Sequence, residues 1–391
     1  MAAMAASAPP PHGGNRAAAA RRLGCRPEQL LDASASLVPF GPPDGVRRAL
    51  RRALAAAALP LRDYPERDYH GLRRALAAHH GLDPAWVLPG NGAAELFTWA
   101  ARDAAAAGTS LLPAPGFADY RRALACWGGL WQPLPLRLDW PAVFPADFGA
   151  AVDPPLPTGL DAGGTARHGA LWITNPHNPT GQLWSRRSLE ALLETFALVV
   201  VDEAFLPLVP RGEAESLIPL LADHPNLVVI RSLTKLFTIA GLRLGYALAH
   251  PGRLGRWSGW RDPWPVNGPA AAVGEALFAD RNGLERWTGR VRRWVEREGA
   301  WLAAGLGGLP GLRPLPSAAN YLLVRSAAAA VDGAGSLEPL RLALEQRHRI
   351  LLRDCRSFEG LGCGWLRIGL QDRRSNRRLL AALRRQVSAL P

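Results

Sequence analysis

The sequence contains a single lysine, Lys235, among 46 lysine and arginine residues. Such a strong bias towards arginine predicts that the remaining lysine performs a task that a guanidinium group cannot perform. Arginine stays protonated at physiological pH, whereas a lysine amine can lose its proton in a suitable site and attack a carbonyl carbon. Lys235 is therefore the first candidate for a covalent catalyst; the competing interpretation is a lysine on a solvated surface.

Polar clusters follow three apolar segments that are typical of buried strands. They are NPHNPTG at 175–181, the pair Asp202-Glu203, and the SLTK segment that ends at Lys235. Ligands bind beyond the carboxyl ends of strands in open parallel sheets, so we expect the three clusters to converge on one crevice.

An amide, a carboxylate and an amine in one crevice match the requirements of pyridoxal phosphate. Lys235 would form a Schiff base with the aldehyde, Asp202 would face the pyridine nitrogen, and Asn178 would donate to O3′. The competing interpretations are a helix or turn cap for Asp202 and the turn chemistry of Asn-Pro for Asn178.

A phosphate site is also indicated. The segment GNGAAE at 90–95 precedes an apolar helix, and its small residues would let backbone N–H groups at the helix N-terminus approach a phosphate. Ser232 offers a hydroxyl and Arg243 a guanidinium on either side of Lys235. The whole segment SLTKLFTIAGLRLGY is more specific than any one of these features.

The element order predicts an α/β fold with a mostly parallel central sheet flanked by helices, and a smaller α/β domain. Short apolar runs without alternation are typical of buried parallel strands. These runs lie at 171–174, 198–201, 227–230 and 245–248, and in the last third at 321–324, 350–352 and 365–368. We also predict an extended segment at 30–38, a loop at 257–267, and helices at 15–23, from an Asp44 cap to 59, at 270–306 and at 375–390.

Composition limits the possible functions. The chain has 391 residues, 48% of them hydrophobic, and a formal charge of +13. Its arginines are scattered rather than clustered, so we expect no nucleic-acid function, although a positive field would attract phosphate esters. The four cysteines, Cys25, Cys126, Cys355 and Cys363, have neither CxxC nor metal-ligand spacing, which predicts no metal site and a reducing cytoplasm. We also expect neither a signal peptide nor a membrane span.

Together, these motifs resemble the fold type I pyridoxal-phosphate enzymes of the aminotransferase class I/II group. The resemblance covers nearly the whole chain and implies the roles given above for Lys235, Asp202 and Asn178. It further implies that Phe117 stacks on the cofactor and that Gly92, Ala93, Ser232 and Arg243 bind its phosphate. Phe205 departs from the pattern, because many relatives have at this position a tyrosine that binds O3′.

The resemblance also implies roles for one arginine and one tyrosine. Arg367 in WLRIGL matches the arginine that binds the substrate α-carboxylate. Tyr64 in DYPERDY matches a tyrosine that reaches the cofactor phosphate of a partner subunit, which implies a homodimer.

The resemblance also implies a division of the chain. We predict a flexible tail at 1–11 and an N-terminal segment at 12–62 that belongs to the small domain and covers the substrate. A large cofactor-binding domain at 63–271 and a C-terminal small domain at 272–391 would follow.

The ends of the chain resemble one branch of this group more than others. HGGN at 12–15, LLDASASLVPFGPP and RDCRSFEGLGCGWLRIG resemble the enzymes that decarboxylate L-threonine O-3-phosphate in cobalamin biosynthesis. The related histidinol-phosphate aminotransferases usually lack the first and last of these segments. We therefore expect decarboxylation of a small phosphorylated amino acid, L-threonine O-3-phosphate. The alternatives are an aminotransferase that acts on a phosphorylated or hydrophobic amino acid, and a catalytically silent protein of the same fold.

The same branch implies substrate contacts near the N-terminus. His12, Ser34 and Arg353, with Asn178 and Arg367, would bind the substrate and its phosphate ester. Ser36 and Val38 depart from the pattern, because relatives commonly have asparagine at both positions.

Overall fold

The computed structural model describes residues 12–55, 59–156, 168–328 and 335–387. The predicted tail at 1–11 and the last residues of the predicted final helix, 388–390, lie outside this part of the chain. The strands are β1 (Leu31–Asp32), β2 (Val87–Asn91), β3 (Ser110–Ala114), β4 (Trp131–Pro135), β5 (His168–Thr174), β6 (Phe196–Asp202), β7 (Leu227–Ser232), β8 (Leu244–Ala249), β9 (Leu312–Pro314), β10 (Tyr321–Ser326), β11 (Ile350–Leu351), β12 (Arg353–Asp354) and β13 (Trp365–Gly369).

Helices alternate with these strands along most of the chain. They are α1 (Arg16–Arg22), α2 (Asp44–Ala53), α3 (Leu59–Arg62), α4 (His70–His80), α5 (Gly92–Ala107), α6 (Asp119–Ala125), α7 (Phe148–Ala151), α8 (Arg186–Glu190), α9 (Leu233–Phe237), α10 (Pro251–Trp260), α11 (Gly268–Ala279), α12 (Arg281–Gly307), α13 (Glu338–His348) and α14 (Arg373–Val387).

The largest sheet has seven strands in the order β2-β8-β7-β6-β5-β3-β4. Neighbouring strands from β4 to β7 are parallel, and β8 is antiparallel to both of its neighbours. The predicted mostly parallel sheet is confirmed, and its four predicted strands lie within β5, β6, β7 and β8. The reversal at β8 was not predicted.

Both faces of the central strands are covered, which explains their unbroken apolar sequences. Helices α4, α11 and α12 contribute to the core on one face, and α5, α6 and α10 to the core on the other. Successive residues of β6 alternate between these cores: Val199 and Val201 face the first, and Leu198 and Val200 face the second. A strand buried on both sides needs apolar residues at every position.

An ion pair buried within the protein joins β6 to β7 at the edge where the polar clusters emerge. Arg231 Nε donates to Glu203 Oε2 at 2.8 Å, and the exposed fractions of the two side chains are 2% and 0%. The Arg231 Nη atoms also donate to both carboxylate oxygens of Glu213, at 2.8 and 2.9 Å. The pair therefore fixes the spacing of the strand ends that carry Asp202 and Ser232.

The last third of the chain forms a second, antiparallel sheet in the order β12-β13-β10-β9. The N-terminal segment joins this region, because β1 pairs in parallel with β11. The strands predicted at 321–324, 350–352 and 365–368 correspond to β10, β11 and β13. The division into domains at 62 and 271 remains a prediction.

Several predicted elements differ from those observed. The single helix predicted at 270–306 is wrong, because Asp280 caps α12 through the N–H of Gly283 (2.8 Å) and separates it from α11. The extended segment predicted at 30–38 contains only the two-residue strand β1. Residues 257–260 of the predicted loop belong to α10.

The helix predicted from an Asp44 cap to 59 is also shorter than expected. Pro43 is the capping residue, Asp44 lies in the first turn, and α2 ends at Ala53. Residues 56–58 lie outside the described residues. The helix predicted at 15–23 is confirmed as α1, with Asn15 Oδ1 accepting a hydrogen bond from the N–H of Ala18 at 3.1 Å.

Within the described residues, no helix combines the length and the apolar character needed to cross a bilayer. The same residues contain no group of three or more His, Cys, Asp or Glu side chains arranged to hold a metal ion.

Candidate active site

A cleft of about 350 Å³ lies at the carboxyl ends of β5, β6 and β7. The strands are in register there, with Thr174 opposite Asp202 and Asp202 opposite Ile230. All the predicted site residues except Gly92 and Tyr64 line this cleft, namely His12, Ser34, Ala93, Phe117, Asn178, Asp202, Ser232, Lys235, Arg243, Arg353 and Arg367. The predicted convergence of the three polar clusters is therefore observed.

Lys235 lies in α9, directly after β7. Burial and the Arg367 guanidinium lower the pKa of the Lys235 ammonium group from 10.5 to about 8, while the negative charge of Asp202 acts in the opposite direction. The amine is therefore neutral in a larger fraction of molecules near neutral pH than the amine of a solvated lysine. A neutral amine is the form that attacks an aldehyde.

Asp202 lies at the end of β6 and is nearly inaccessible to solvent. Burial raises the pKa of its carboxyl group from 3.8 to about 6, and hydrogen bonds from Tyr120 and from the N–H of Ala204 act against this increase. The carboxyl group remains mostly ionised at neutral pH. It can therefore pair with a protonated ring nitrogen in the cleft.

Tyr120 is a site residue that the sequence analysis missed. Its hydroxyl lies 2.8 Å from Asp202 Oδ2 and 2.7 Å from Thr174 Oγ1. The available signal was the spacing in GFADY, where Tyr120 follows Phe117 by three residues at the start of a helix. A tyrosine in an apolar helix is more often simply a core residue, so this signal was weak.

The predicted phosphate site lies at the N-terminus of α5. Gly92 has φ +71°, and a Cβ atom there would lie 2.5 Å from Arg243 Nη2. The missing Cβ atom at Gly92 therefore leaves room for the Arg243 guanidinium in its observed position beside the first turn of α5, where the backbone N–H groups of a helix can also bind a phosphate. Ala93 and Ser232 line the cleft beside them.

Two arginines of the small sheet face the cleft. Arg353 of β12 is directly opposite Arg367 of β13, and both side chains are buried. Arg367 donates to Asn178 Oδ1 and, at 3.1 Å, to the carbonyl of Ser34. Burial and the charge of Arg367 lower the pKa of Arg353 to about 10.

The N-terminal segment passes along the cleft. The His12 ring centroid lies 5.6 Å from that of Phe117, and the N–H of Gly14 donates to Ser34 Oγ at 3.0 Å. Ser34 Oγ in turn donates to Asp32 Oδ1 at 2.6 Å. The Ser34 hydroxyl therefore anchors the segment that carries His12.

The residues that depart from the family pattern have different environments. Val38 belongs to the hydrophobic core, whereas Ser36 lines the cleft. Phe205 lies beside the amine, with its ring centroid 5.6 Å from Lys235 Nζ. Tyr321 packs edge-on against Phe205, but its hydroxyl donates to the carbonyl of His177 at 2.8 Å.

Tyr64 is the predicted site residue that lies away from the cleft. Its side chain is 80% exposed and stacks on Trp264 with ring centroids 4.5 Å apart. Within one chain, Tyr64 does not contribute to the site.

The residues present fit pyridoxal phosphate. The glycine-dependent approach of Arg243 to the N-terminus of α5 supplies a phosphate cradle. An amine with a lowered pKa and a buried carboxylate occur in the same cleft, together with an amide and an aromatic ring. These are the groups that would hold the aldehyde, ring nitrogen, O3′ and ring face of this cofactor.

Comparison with known proteins agrees with this geometry. Residues 29–383 match the family model "Aminotransferase class I and II". The chain belongs to this family. It is therefore a pyridoxal-phosphate-dependent enzyme.

Individual relatives lie in two branches of the family. The chain is 35% identical to the threonine-phosphate decarboxylase of Salmonella typhimurium, over 94% of each chain. It is 33% identical to the histidinol-phosphate aminotransferase of Symbiobacterium thermophilum, over 88% of this chain and 87% of that protein. The crystal structure of histidinol-phosphate aminotransferase from Sinorhizobium meliloti in complex with pyridoxal-5′-phosphate has a TM-score of 0.77 and 26% identity, and the match covers 98% of this chain and 96% of that chain.

The lowered pKa of Lys235 predicts how cofactor attachment depends on pH. On mixing apoprotein with pyridoxal phosphate, we expect the attachment rate to rise with pH to a plateau with a midpoint near 8, because only the neutral amine reacts. Stopped-flow absorbance would measure this rate. Lys235→Arg should give no absorbance change, and a midpoint close to the ordinary value of 10.5 would contradict the lowered pKa.

The Gly92–Arg243 approach predicts a specific loss of cofactor affinity. Gly92→Ala should weaken pyridoxal phosphate binding by about tenfold or more, because the added methyl group displaces a charged phosphate ligand. Gly81→Ala is the matched control, since Gly81 also has a positive φ (+68°) and nothing lies within 4 Å of a Cβ atom at that position. Equal cofactor affinities of the two variants in equilibrium dialysis would contradict the assigned cradle.

Proposed function

We propose that the chain decarboxylates L-threonine O-3-phosphate to (R)-1-amino-2-propanol O-2-phosphate, a step of cobalamin biosynthesis. The observation that carries this proposal is the pair of buried arginines, Arg353 and Arg367, which are cross-strand neighbours in β12 and β13 and line the same cleft. Two guanidinium groups suit a substrate with two anionic groups, such as the carboxylate and phosphate ester of a phosphorylated amino acid. The 35% identity to a threonine-phosphate decarboxylase supports the same substrate.

The positions of the two arginines suggest different roles. Arg367 contacts Asn178, so its guanidinium lies beside the cofactor pocket and suits the α-carboxylate. Arg353 lies one strand further away, with Nη2 donating to Ser357 Oγ at 2.5 Å. It suits the phosphate ester, together with His12.

His12 would contribute as a neutral donor. Partial burial lowers its pKa, the cations Arg353 and Lys235 act in the same direction, and Asp119 acts against them. A neutral imidazole has one N–H group to donate to a phosphate oxygen. Ser34 contributes indirectly, because its hydroxyl holds the segment that positions His12.

The site residues divide the chemical work. Bound pyridoxal phosphate supplies an electron sink for a bond broken at the substrate Cα. Arg367 holds the carboxylate in the orientation that decides which bond breaks. Asp202 keeps a proton on the ring nitrogen, and the Lys235 ammonium group donates the proton that replaces CO2 at Cα.

Transamination by a histidinol-phosphate aminotransferase is the second candidate, supported by 33% identity to such an enzyme. It requires the same cofactor residues and also a phosphorylated substrate. The difference would lie in the bond that the cleft residues orient for cleavage, the Cα–carboxylate bond of a phosphorylated amino acid or the Cα–H bond of histidinol phosphate, which has no carboxylate. In transamination, Lys235 would carry the Cα proton instead, and a 2-oxo acid would have to accept the amino group.

We further propose that the enzyme is a cytoplasmic homodimer. An exposed aromatic pair, Tyr64 and Trp264, lies outside the cleft of its own chain, which suits a role at a partner's cofactor phosphate. Within the described residues, the four cysteines carry free thiols, which supports a reducing compartment.

Substrate turnover separates the two candidate reactions. Holoenzyme incubated with L-threonine O-3-phosphate alone should release CO2 and form 1-amino-2-propanol O-2-phosphate in equal amounts, measured by trapping CO2 and by mass spectrometry. Adding a 2-oxo acid should leave the rate unchanged. Turnover of histidinol phosphate that requires a 2-oxo acid, without release of CO2, would favour the aminotransferase.

Complementation between subunits tests the proposed dimer. Tyr64→Ala should weaken cofactor binding by about tenfold, because a hydrogen bond to a charged group is lost. A heterodimer of Tyr64→Ala and Lys235→Ala chains should regain one site of wild-type affinity, since one cleft then has both residues. Absence of this high-affinity site in a purified heterodimer would show that Tyr64 does not act across subunits.

A further inference from the structure

We propose that Tyr120 is a positioning residue whose hydroxyl, held by Thr174, fixes the Asp202 carboxylate in the orientation and charge state that the cofactor ring nitrogen requires. This inference rests on the proposed role of Asp202 as the partner of that nitrogen. It adds to the site a residue from a helix, α6, that carries none of the predicted site residues.

Each oxygen of the Asp202 carboxylate has its own donor. Tyr120 Oη donates to Oδ2 at 2.8 Å, and the backbone N–H of Ala204 donates to Oδ1 at 2.9 Å. Two separate donors prevent the carboxylate from rotating. A fixed carboxylate can face the cleft without spending binding energy on orientation when the cofactor binds.

The direction of the hydrogen bonds follows from the groups involved. An ionised carboxylate only accepts hydrogen bonds, and a phenol has one hydrogen to donate. Tyr120 therefore donates to Asp202, so at 2.7 Å from Thr174 Oγ1 it must accept from the Thr174 hydroxyl. Thr174 pairs directly with Asp202 across β5 and β6, so the same strand register positions both ends of this chain of hydrogen bonds.

Aromatic packing prevents the Tyr120 ring from moving away. The ring is buried and lies edge-on to Phe97, with centroids 5.1 Å apart, and edge-on to Phe117, with centroids 5.5 Å apart. The Trp172 ring also packs against it, with centroids 5.1 Å apart. Because Phe117 lines the cleft, the same packing joins Tyr120 to the ring predicted to stack on the cofactor.

The Tyr120 hydrogen bond opposes the effect of burial on Asp202. Burial raises the pKa of the carboxyl group to about 6, and the bond from Tyr120 acts most strongly in the other direction. Among the other charged groups near Asp202, Lys235 favours the ionised carboxylate and Glu203 opposes it. Burial and the charge of Asp119 raise the pKa of Tyr120. Burial and the charge of Asp202 raise the pKa of Tyr321, so both tyrosines stay protonated beside the carboxylate. Removing the hydroxyl should therefore raise the pKa of Asp202 towards neutrality.

The test is the affinity of apoprotein for pyridoxal phosphate between about pH 6 and about pH 8.5, where Asp202 changes from partly to fully ionised. Tyr120→Phe should bind about tenfold more weakly than wild type near the lower limit and within about threefold of wild type near the upper limit. The ratio of the two dissociation constants cancels the titration of the free cofactor. The charge of Asp202 also acts on the pKa of Lys235, so this pKa is measured in both proteins from the pH dependence of the attachment rate. A ratio that stays constant across this range, whether one or larger, would overturn the proposal.

Three further variants make the result specific. Thr174→Val leaves the Tyr120–Asp202 hydrogen bond intact. Its dissociation constant relative to wild type should also be largest at about pH 6, but smaller there than that of Tyr120→Phe. Tyr246→Phe is the matched control, because this buried tyrosine has its hydroxyl 2.9 Å from His80 Nε2 and away from Asp202; its ratio should not depend on pH. A pH-dependent ratio for Tyr246→Phe would count against the proposal.

Asp202→Asn separates this inference from the proposed role of Asp202. If Asp202→Asn binds the cofactor as tightly as wild type, the role of Asp202 fails and the inference fails with it. If Asp202→Asn binds weakly but Tyr120→Phe matches wild type at every pH, only the inference fails.

Discussion

The site depends on two protonation states inside one largely buried cleft: the carboxylate of Asp202 must be ionised, and the amine of Lys235 must be able to become neutral. Burial favours the neutral form of both groups, which raises the pKa of Asp202 and lowers that of Lys235. For Lys235 this shift is useful, because the neutral amine is the nucleophile. For Asp202 it is harmful, because only the ionised form can keep a ring nitrogen protonated. Hydrogen bonds at both carboxylate oxygens reduce the harm.

The central sheet provides the positions for these groups, and a buried ion pair holds the sheet together where they emerge. Arg231 and Glu203 are the residues immediately before Ser232 and immediately after Asp202 in sequence, and they bind each other across β6 and β7. Removing two charges from water is costly, so such a pair is weak evidence for stability. Its stronger consequence is geometric, since neither strand end can shift without leaving a buried charge without its partner.

Sequence reasoning located the parts of the site that follow strands. An apolar run that ends in NPHNPTG, in Asp202 or before Lys235 indicates both the strand and the edge at which its side chains meet. Residues outside these runs were harder to predict. Tyr120 looks like a core tyrosine until its distance to Asp202 is known, and the break at Asp280 is a single polar residue within a long helical pattern. The antiparallel strand β8 is as apolar as the parallel strands of the same sheet. Burial on both faces requires apolar residues whichever way a strand runs, so the direction of β8 could not be predicted from its sequence.

Under the proposed function, the charges of the cleft would also select the substrate. Arg353 and Arg367 bring two positive charges into one cleft, and their repulsion contributes to the lowered pKa of Arg353. A substrate with a carboxylate and a phosphate relieves this repulsion, whereas an amino acid with a neutral side chain supplies only one of the two anions. Sites that contain buried polar groups reject substrates that cannot satisfy them much more strongly than apolar pockets reject substrates of the wrong size. Under the proposed function, the arginine pair would therefore favour a substrate that has both a carboxylate and a phosphate ester, and the orientation of the carboxylate at Arg367 would decide whether CO2 leaves.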